Sequence, residues 1–410
     1  MRILLLIHHF PPDVNSTGLL MSQIFAKLAE EGHEVSVIST FPHYEGFRTW
    51  PQYRRKIFER STHEGMNVTR VYSYTSGTKT MRRRLANYLS FNLFALLAGL
   101  FRRGTYDLVF CTNGSFFSGV TGWLIARAKR ARCVYNLQDL YPEVPVAQGQ
   151  LKGRRSIKML AAIEWFMYKR ADHLVVITAA FRENLRDKGV SLNKVSIIPN
   201  FVDTEFITPL PKENEFSSKH GFDEKFLISH AGNIGYVYDL GTLLEAAHAL
   251  RDQDDILFLI VGDGVARGEL ERKAKELELP NVRFMGFRPV EELPLLRAAS
   301  DLQLSLYKSG SATYSMPSKV YEIMASGRPL LASADPDSDI RRLVESVGCG
   351  VCVTPGDPDA LIDAIKSLFE DPAARESMGK RGRAEAETSY SLSTVTGRYR
   401  HLFEQMATKN

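Results

Sequence analysis

Between two apolar runs lies Pro317-Ser318-Lys319-Val320-Tyr321-Glu322-Ile323-Met324-Ala325-Ser326-Gly327-Arg328-Pro329, which sets a hydroxyl, an amine and a carboxylate close together. A proline at the first helical position starts a helix. Ser318 and Lys319 then fall in its first turn, where free backbone N–H groups and the helix dipole favour an anion. Such an end suits a diphosphate. Glu322 follows Lys319 by three residues, so both side chains share one helical face, and its carboxylate can accept hydrogen bonds from two vicinal hydroxyls such as those of a ribose. The same stretch also reads as an ordinary helix with a surface lysine and glutamate.

Five other segments follow apolar runs with residues able to hold a ligand. His8-His9-Phe10-Pro11-Pro12-Asp13-Val14-Asn15-Ser16-Thr17-Gly18 leads into a helix, with Ser16 or Thr17 expected to cap it and Gly18 to let a ligand approach the backbone. A plain capped turn accounts for it nearly as well. Gly232-Asn233-Ile234-Gly235 follows a second run, and glycines three apart permit close contact with a diphosphate. Val261-Gly262-Asp263-Gly264 and Phe284-Met285-Gly286-Phe287-Arg288 end two further runs on the same sheet edge, where Gly262, Phe287 and Arg288 would face a ligand; tight turns that need glycine are the alternative. Asn136-Leu137-Gln138-Asp139-Leu140-Tyr141-Pro142-Glu143 places polar groups after a buried run, with Asp139 the catalytic candidate or else the cap of a turn before Pro142.

The elements that must position these residues alternate from end to end. Short apolar runs at 2–7, 34–39, 67–72, 108–112, 133–137, 173–177 and 195–198 read as strands separated by helices. The pattern restarts at 226–230, 256–261, 282–284, 302–306, 329–332 and 350–353. This is an α/β chain of two doubly wound, Rossmann-like domains expected to face a central cleft, with ligands outside the carboxyl ends of the strands. The expected division is 1–205 and 206–389, with a C-terminal helix within 390–410 packing back on the first domain. The Pro-rich, polar stretch at 199–219 reads as the linker.

Length and composition set bounds. At 410 residues the chain exceeds what one core usually serves, and 44% hydrophobic with 24% charged residues is ordinary globular composition. A formal charge of +5 is too small for a nucleic-acid footprint, yet basic residues cluster in the first half: Tyr53 to Lys56, Lys79 with Arg82 to Arg84, Arg102-Arg103, Arg127 to Arg132 and Lys152 to Arg155. They suggest an anionic surface or substrate for that domain. Cys349 and Cys352 form a lone CxxC inside an apparent strand, so reduced thiols are expected rather than zinc, and the ten histidines show no ligand spacing. The apolar stretch 85–100 falls short of the ~20 residues that span a bilayer. No P-loop, nucleophile elbow, zinc-protease or dinucleotide glycine pattern is present.

Taken in order, these segments resemble the retaining glycosyltransferases of family 4, which have the GT-B fold, and in particular the subgroup that builds bacterial exopolysaccharide, capsule and O-antigen. The carriers are Phe10-Pro11-Pro12 with Ser16-Thr17-Gly18, Gln138 to Glu143, Ile198-Pro199-Asn200-Phe201-Val202-Asp203, Gly232 to Gly235, Val261 to Gly264, and Pro317-Ser318-Lys319 with Glu322 and Gly327-Arg328-Pro329. The resemblance implies transfer of a sugar from a nucleoside diphosphate donor, held mainly by the second domain, to an acceptor on the first. It assigns Glu322 to the ribose, Ser318 and Lys319 to the diphosphate, Gly18 to a loop near the phosphates and sugar, and Phe287 with Arg288 to the base. It implies no metal or other cofactor; a polyprenyl-diphosphate-linked saccharide as acceptor; and a cytoplasmic, peripheral place at the inner membrane surface, where the Arg-flanked 85–100 helix would either lie on lipid or pack in the core.

Departures accompany it. Many members carry an Arg and a Lys after the first strand of the second domain, where this chain has Asn233 and Asp239, leaving Lys319 to offset the diphosphate. Tyr314 stands in place of the first of two glutamates, and Gln138 where many relatives have His. Asp139 is therefore expected to orient the donor sugar or acceptor hydroxyl. A nucleotide-sugar epimerase and a non-catalytic nucleotide-sugar-binding subunit are the competing readings.

Overall fold

The computed structural model describes residues 1–78, 80–147, 151–311 and 316–408; Lys79 and Tyr314 lie outside the described residues. The chain divides into two compact units, Phe201–Thr394 and a discontinuous one made of Met1–Asn200 and Val395–Asn410.

The discontinuous unit holds an eight-stranded sheet: β1 (Arg2–Leu6), β2 (Glu34–Thr40), β3 (Phe58–His63), β4 (Met66–Val71), β5 (Leu108–Thr112), β6 (Arg132–Leu137), β7 (His173–Val176) and β8 (Val195–Ile197). Their spatial order is β3-β4-β2-β1-β5-β6-β7-β8, and every pairing is parallel except β3 with β4. β3 is a strand that apolar patterning misses, because it is an edge strand that is largely exposed. Its signal is the two-residue turn Glu64-Gly65, both at positive φ (44° and 76°), the geometry that matches the twist of a hairpin.

Helix Met81–Phe101 is longer than the apolar pattern suggests and is the one described helix long and apolar enough to cross a membrane by length and composition. Its faces are inverted. Asn87, Tyr88, Phe91, Asn92, Ala95, Ala98 and Gly99 are buried, whereas Met81, Leu85, Leu89, Leu93 and Leu97 form an exposed stripe at four-residue spacing. The amide nitrogens of the buried asparagines are satisfied: Asn92 Nδ2 donates to Ser115 Oγ at 2.7 Å, and Asn87 Nδ2 to the Tyr74 carbonyl at 2.8 Å. From Val395 onward the last helix packs on this unit, with Phe403 against Phe25 and Phe110, and with the Tyr399 hydroxyl accepting from Asn136 Nδ2 at 3.2 Å.

The second unit carries β9 (Phe226–Ala231), β10 (Ile256–Val261), β11 (Val282–Met285), β12 (Leu302–Leu306), β13 (Leu330–Ser333) and β14 (Gly350–Val353), ordered β11-β10-β9-β12-β13-β14 and wholly parallel. This is the doubly wound order that reverses between the first and fourth strands. Part of the expected linker is structured here. Asn214 caps the helix Glu215–His220 through a reciprocal bond with Ser217, so the Ser and Asn there mark a helix start rather than a loop. All four cysteines are free thiols.

Candidate active site

In the second unit, the strand order reverses between β9 and β12, the place where doubly wound sheets bind ligands. The loop after β9 interlocks with the loop after β10: Gly232 N–H donates to the Val261 carbonyl at 2.9 Å and Ile234 N–H to the Asp263 carbonyl at 2.9 Å. A Cβ on Gly262, at φ 138°, would fall 1.8 Å from the Gly232 carbonyl oxygen, so Gly262 is required by backbone packing. Gly235 and Asn233 belong to the same interlocked pair, with the Asn233 carbonyl 3.5 Å from Nε2 of the buried His230.

Lys319 sits under these loops. It is only 9% exposed, its Nζ has no hydrogen-bond partner among the described residues, and that nitrogen lies 4.4 Å from the ring centre of Tyr238 and 5.9 Å from that of Tyr307. Burial, followed by the charge of Arg297, pulls its pKa down to about 7, with Glu322 opposing. Burial and then Lys319 hold His230 well below the ordinary histidine range. Glu322 pairs with Arg297, whose Nη1 also donates to Gln303 Oε1 at 2.6 Å. Arg297, Tyr238, Tyr307 and His230 were not among the residues singled out by sequence. Arg297 gives no local signal, since its guanidinium is 2% exposed only because the tertiary fold closes over it.

One expectation changes. The helix after Pro317 begins at Lys319 and ends at Ala325, with Ser318 as N-cap and Pro317 before it. Val320 and Tyr321 donate back to Pro317 and Ser318 with three-residue spacing, a tight turn that delays the helix proper. Arg288 is occupied by a two-pronged pair with Glu292 (2.8 and 3.0 Å), and Phe287 is 70% exposed; among the described residues no hydrogen bond, ion pair or ring contact joins either to the Lys319 group.

In the first unit, the order reverses between β1 and β5, and a 330 Å³ pocket opens at their carboxyl ends. His8 and His9 follow β1, Gly114 follows β5, and Asp139 with Tyr141 follow β6; all line it. The Asp139 carboxylate takes no hydrogen bond from the described residues, and burial raises its pKa, so it does not act as a turn cap. Its backbone carbonyl accepts from Asn113 Nδ2 at 2.5 Å. Asn15, rather than Ser16 or Thr17, caps the first helix, accepting from Gly18 N–H at 3.1 Å. A Cβ on Gly18 would stand 2.7 Å from the His9 carbonyl oxygen. Gln138 is buried, donating from Nε2 to Asn136 Oδ1 at 2.8 Å.

The fold also assembles a histidine group that spacing did not reveal, because its members come from the ends of two different strands. His8, His9 and His43 bring ring nitrogens within 4.8 Å of one another. His9 Nδ1 lies 2.8 Å from Asp13 Oδ2, and His43 meets the Phe41 carbonyl through Nδ1 (2.8 Å) and the Asn87 amide through Nε2 (3.1 Å). Neither ring nitrogen of His8 has a hydrogen-bond partner among the described residues, and burial, then His9 and His43, lower its pKa well below the ordinary histidine range.

Comparison with known proteins decides the family. Residues 212–385 match the model for glycosyl transferases group 1, and residues 19–200 that for the glycosyl transferase 4-like domain. The chain belongs to the family 4 glycosyltransferases. It is 27% identical to the putative colanic acid biosynthesis glycosyl transferase WcaI of Escherichia coli, over 90% of this chain and 92% of that one. It is 26% identical to the probable glycosyltransferase WbjE of Pseudomonas aeruginosa, over 95% and 94%. Among solved structures, Anabaena HepE in complex with UDP-glucose superposes with a TM-score of 0.73 at 17% identity, covering 99% of this chain and 100% of that one; it shares the GT-B fold. For this family 4 glycosyltransferase, then, two polar sites stand at two switch points, one holding an unpaired buried amine and the other an unpaired carboxylate.

Proposed function

We propose that this glycosyltransferase moves a sugar, with retention and without a metal ion, from a nucleoside diphosphate sugar to a lipid-linked or growing polysaccharide acceptor in bacterial cell-surface polysaccharide synthesis. The observation that carries the donor half is Lys319. A buried amine without a hydrogen-bond partner among the described residues, at the switch point of the second sheet, is a group waiting for an anion. A diphosphate would restore its proton and be neutralised as the anomeric C–O bond breaks. Glu322, fixed by Arg297, is left with acceptor capacity for ribose hydroxyls, and Ser318 stands beside it. Gly232, Asn233, Gly235 and Gly262 would shape the backbone around the phosphates, Pro317 the turn into Ser318, Phe287 and Arg288 would edge the base, and Gly18 would lie near the sugar. UDP is favoured over GDP because neighbours of the same fold are recorded with UDP and UDP-glucose.

Asp139 would orient the acceptor hydroxyl or donor sugar. With no side-chain nucleophile assigned, the departing phosphate oxygen takes the acceptor's proton on the face it leaves, and the protein supplies position and charge. The exposed stripe of helix Met81–Phe101, flanked by Arg82, Arg83, Arg102 and Arg103, supports a peripheral place on the inner face of an anionic membrane. The test is thermal stabilisation across UDP-, GDP-, dTDP- and ADP-sugars for wild type and Glu322→Gln, since a ligand that binds only the folded state raises its stability. One nucleotide should shift the melt, and the variant should lose that shift. No shift with any nucleotide sinks the donor assignment.

A further inference from the structure

The histidine group of the first unit is held together by one buried carboxylate. His8 and His9 follow β1 and His43 follows β2. Asp13, itself 2% exposed, ties the two loops: it accepts from the backbone N–H groups of His43 (3.1 Å) and Tyr44 (2.8 Å) and meets His9 Nδ1 at 2.8 Å. That nitrogen carries a proton, because an ionised carboxylate only accepts, and the lone pair of His9 is left on Nε2. The same logic applies to His43. Its Nδ1 faces the Phe41 carbonyl at 2.8 Å, so its lone pair is also on Nε2, which accepts from the Asn87 amide at 3.1 Å.

His8 completes the group. It is 2% exposed, and both its ring nitrogens are buried without a hydrogen-bond partner among the described residues. Packing against Tyr88 and Phe91, with ring centres 5.2 and 4.9 Å away, holds the ring but satisfies neither nitrogen. A buried polar side chain left in this state points to a missing ligand.

The three rings stand close to the geometry of a three-imidazole metal site. Their ring nitrogens lie within 4.8 Å of one another, and the ring centres are 4.3, 5.5 and 4.9 Å apart. Imidazoles bound at about 2.0–2.1 Å around a tetrahedral ion place their nitrogens ~3.4 Å apart and their ring centres ~5 Å apart. Small ring rotations close the difference, with Asn87 releasing His43 Nε2 and keeping its bond to the Tyr74 carbonyl at 2.8 Å. A carboxylate behind a ligating histidine fixes its tautomer and orientation, and Asp13 stands in that place for His9. His8 and His9 also line the 330 Å³ pocket, which gives room for a water as fourth ligand.

We infer that His8, His9 and His43 form a site for a divalent transition-metal ion of the zinc class, bound through imidazole nitrogens, with Asp13 as the positioning residue. Imidazole ligands suit Zn²⁺, Co²⁺ or Ni²⁺ and not Mg²⁺ or Ca²⁺. The ion joins the end of β1 to the end of β2, and it stands apart from the transfer reading, in which no metal takes part.

Chelator-treated full-length protein would be titrated with Zn²⁺ against a chromophoric chelator, with melts alongside and Co²⁺ as a spectroscopic substitute. One Zn²⁺ per chain should bind with a dissociation constant at or below about 1 μM and raise the melting temperature, whereas Mg²⁺ should do neither. Co²⁺ should give the visible d–d bands of a four-coordinate site. His8→Leu and His9→Gln should each weaken Zn²⁺ binding at least about a hundredfold and Asp13→Asn about tenfold, while His401→Gln, at an exposed position, should leave it unchanged.

Zn²⁺ binding that His8→Leu leaves unchanged overturns the inference, since the ion would then sit on other histidines. So does a wild-type Co²⁺ spectrum that stays that of the six-coordinate aqua ion, a readout that does not depend on how any variant folds. UDP-sugar melts on the same metal-free samples keep the two ideas separate: a nucleotide shift without Zn²⁺ binding removes only the metal site, and the reverse removes only the donor assignment.

Discussion

Replacing Lys319 by methionine tests the physical state of the second unit's site without any ligand. The amine's pKa falls from 10.5 in the unfolded chain to about 7 in the fold, chiefly because burial strips its hydration. Between those values the unfolded chain binds more protons than the folded one, so the stability of wild type rises with pH across that window. At ~1.36 kcal/mol per pH unit the full difference is on the order of 5 kcal/mol, and the portion between pH 7 and 9, where the folded amine starts half protonated, is about 2 kcal/mol. Methionine fills a similar volume without a charge, so Lys319→Met should be more stable than wild type at pH 7 and lose about half of that advantage by pH 9. For a unit of this size the gap should close by roughly 5–10 °C in Tm. Calorimetric melts of both proteins from pH 6.5 to 9.5 measure it, and the difference profile cancels groups common to both. Parallel profiles would refute the buried, uncompensated amine, and with it the strongest support for a diphosphate at that point.

Asp139→Asn should keep or slightly raise the melting temperature, since it removes a desolvated charge, while lowering kcat at least about tenfold if the carboxylate positions a reacting hydroxyl; steady-state kinetics beside a melt will tell. Gly262→Ala should destabilise the second unit by more than ~2 kcal/mol, read by denaturant melts, because its new methyl meets the Gly232 carbonyl at 1.8 Å. Glu164, buried in the first unit with its pKa raised to about 7 mainly by burial, binds more protons folded than unfolded between pH 4.5 and 7, so stability falls as pH rises there. Glu164→Gln keeps an acceptor for the Tyr135 hydroxyl and should remove about 3 kcal/mol of that fall, seen in urea midpoints at the two ends of the window. Asp239→Lys should cost about 2 kcal/mol and fail to strengthen nucleotide binding, measured by melts with and without UDP-sugar.

Much of the fold is legible because parallel strands buried on both faces are apolar throughout: Ile256–Val261 and Leu302–Leu306 have the bounds the pattern predicts. β3 is not legible in that way, since an exposed edge strand has no apolar face to read. The Lys319–Glu322 pair is legible because helical spacing is local, whereas Pro317 misplaces the helix start by suggesting a first-turn position it does not occupy. Arg297, Tyr238 and Tyr307 lie on separate elements, and only packing brings them to Lys319. The histidine group of the first unit is hidden for the same reason. Helix Met81–Phe101 illustrates a further limit: its apolar content is plain, but which side faces the sheet depends on Asn87 and Asn92 finding partners across the unit.

Two of the departures from the family pattern, at Asn233 and Asp239, then have a common consequence. Where relatives carry a lysine, Asp239 precedes the helix Leu240–Ala249; its Oδ1 accepts from the Thr242 hydroxyl at 2.9 Å and its Oδ2 from Gly356 N–H at 2.8 Å. Both bonds require an acceptor, and a carboxylate also suits a helix N-terminus. A lysine can serve neither. Where relatives carry an arginine, Asn233 turns its amide towards the loop containing Gly264, whose Cβ would stand 2.7 Å from Asn233 Oδ1. Asp239 is thus committed to holding loops together, and Asn233 packs against the Gly264 loop. Of the cations on the page, Arg297 is spent on Glu322 and Gln303, Arg267 on the Gly262 and Met285 carbonyls and Glu271, and Arg288 on Glu292. Lys319 alone among these lacks a polar partner among the described residues, so on the proposed reading any charge compensation this unit gives a leaving diphosphate falls first to it.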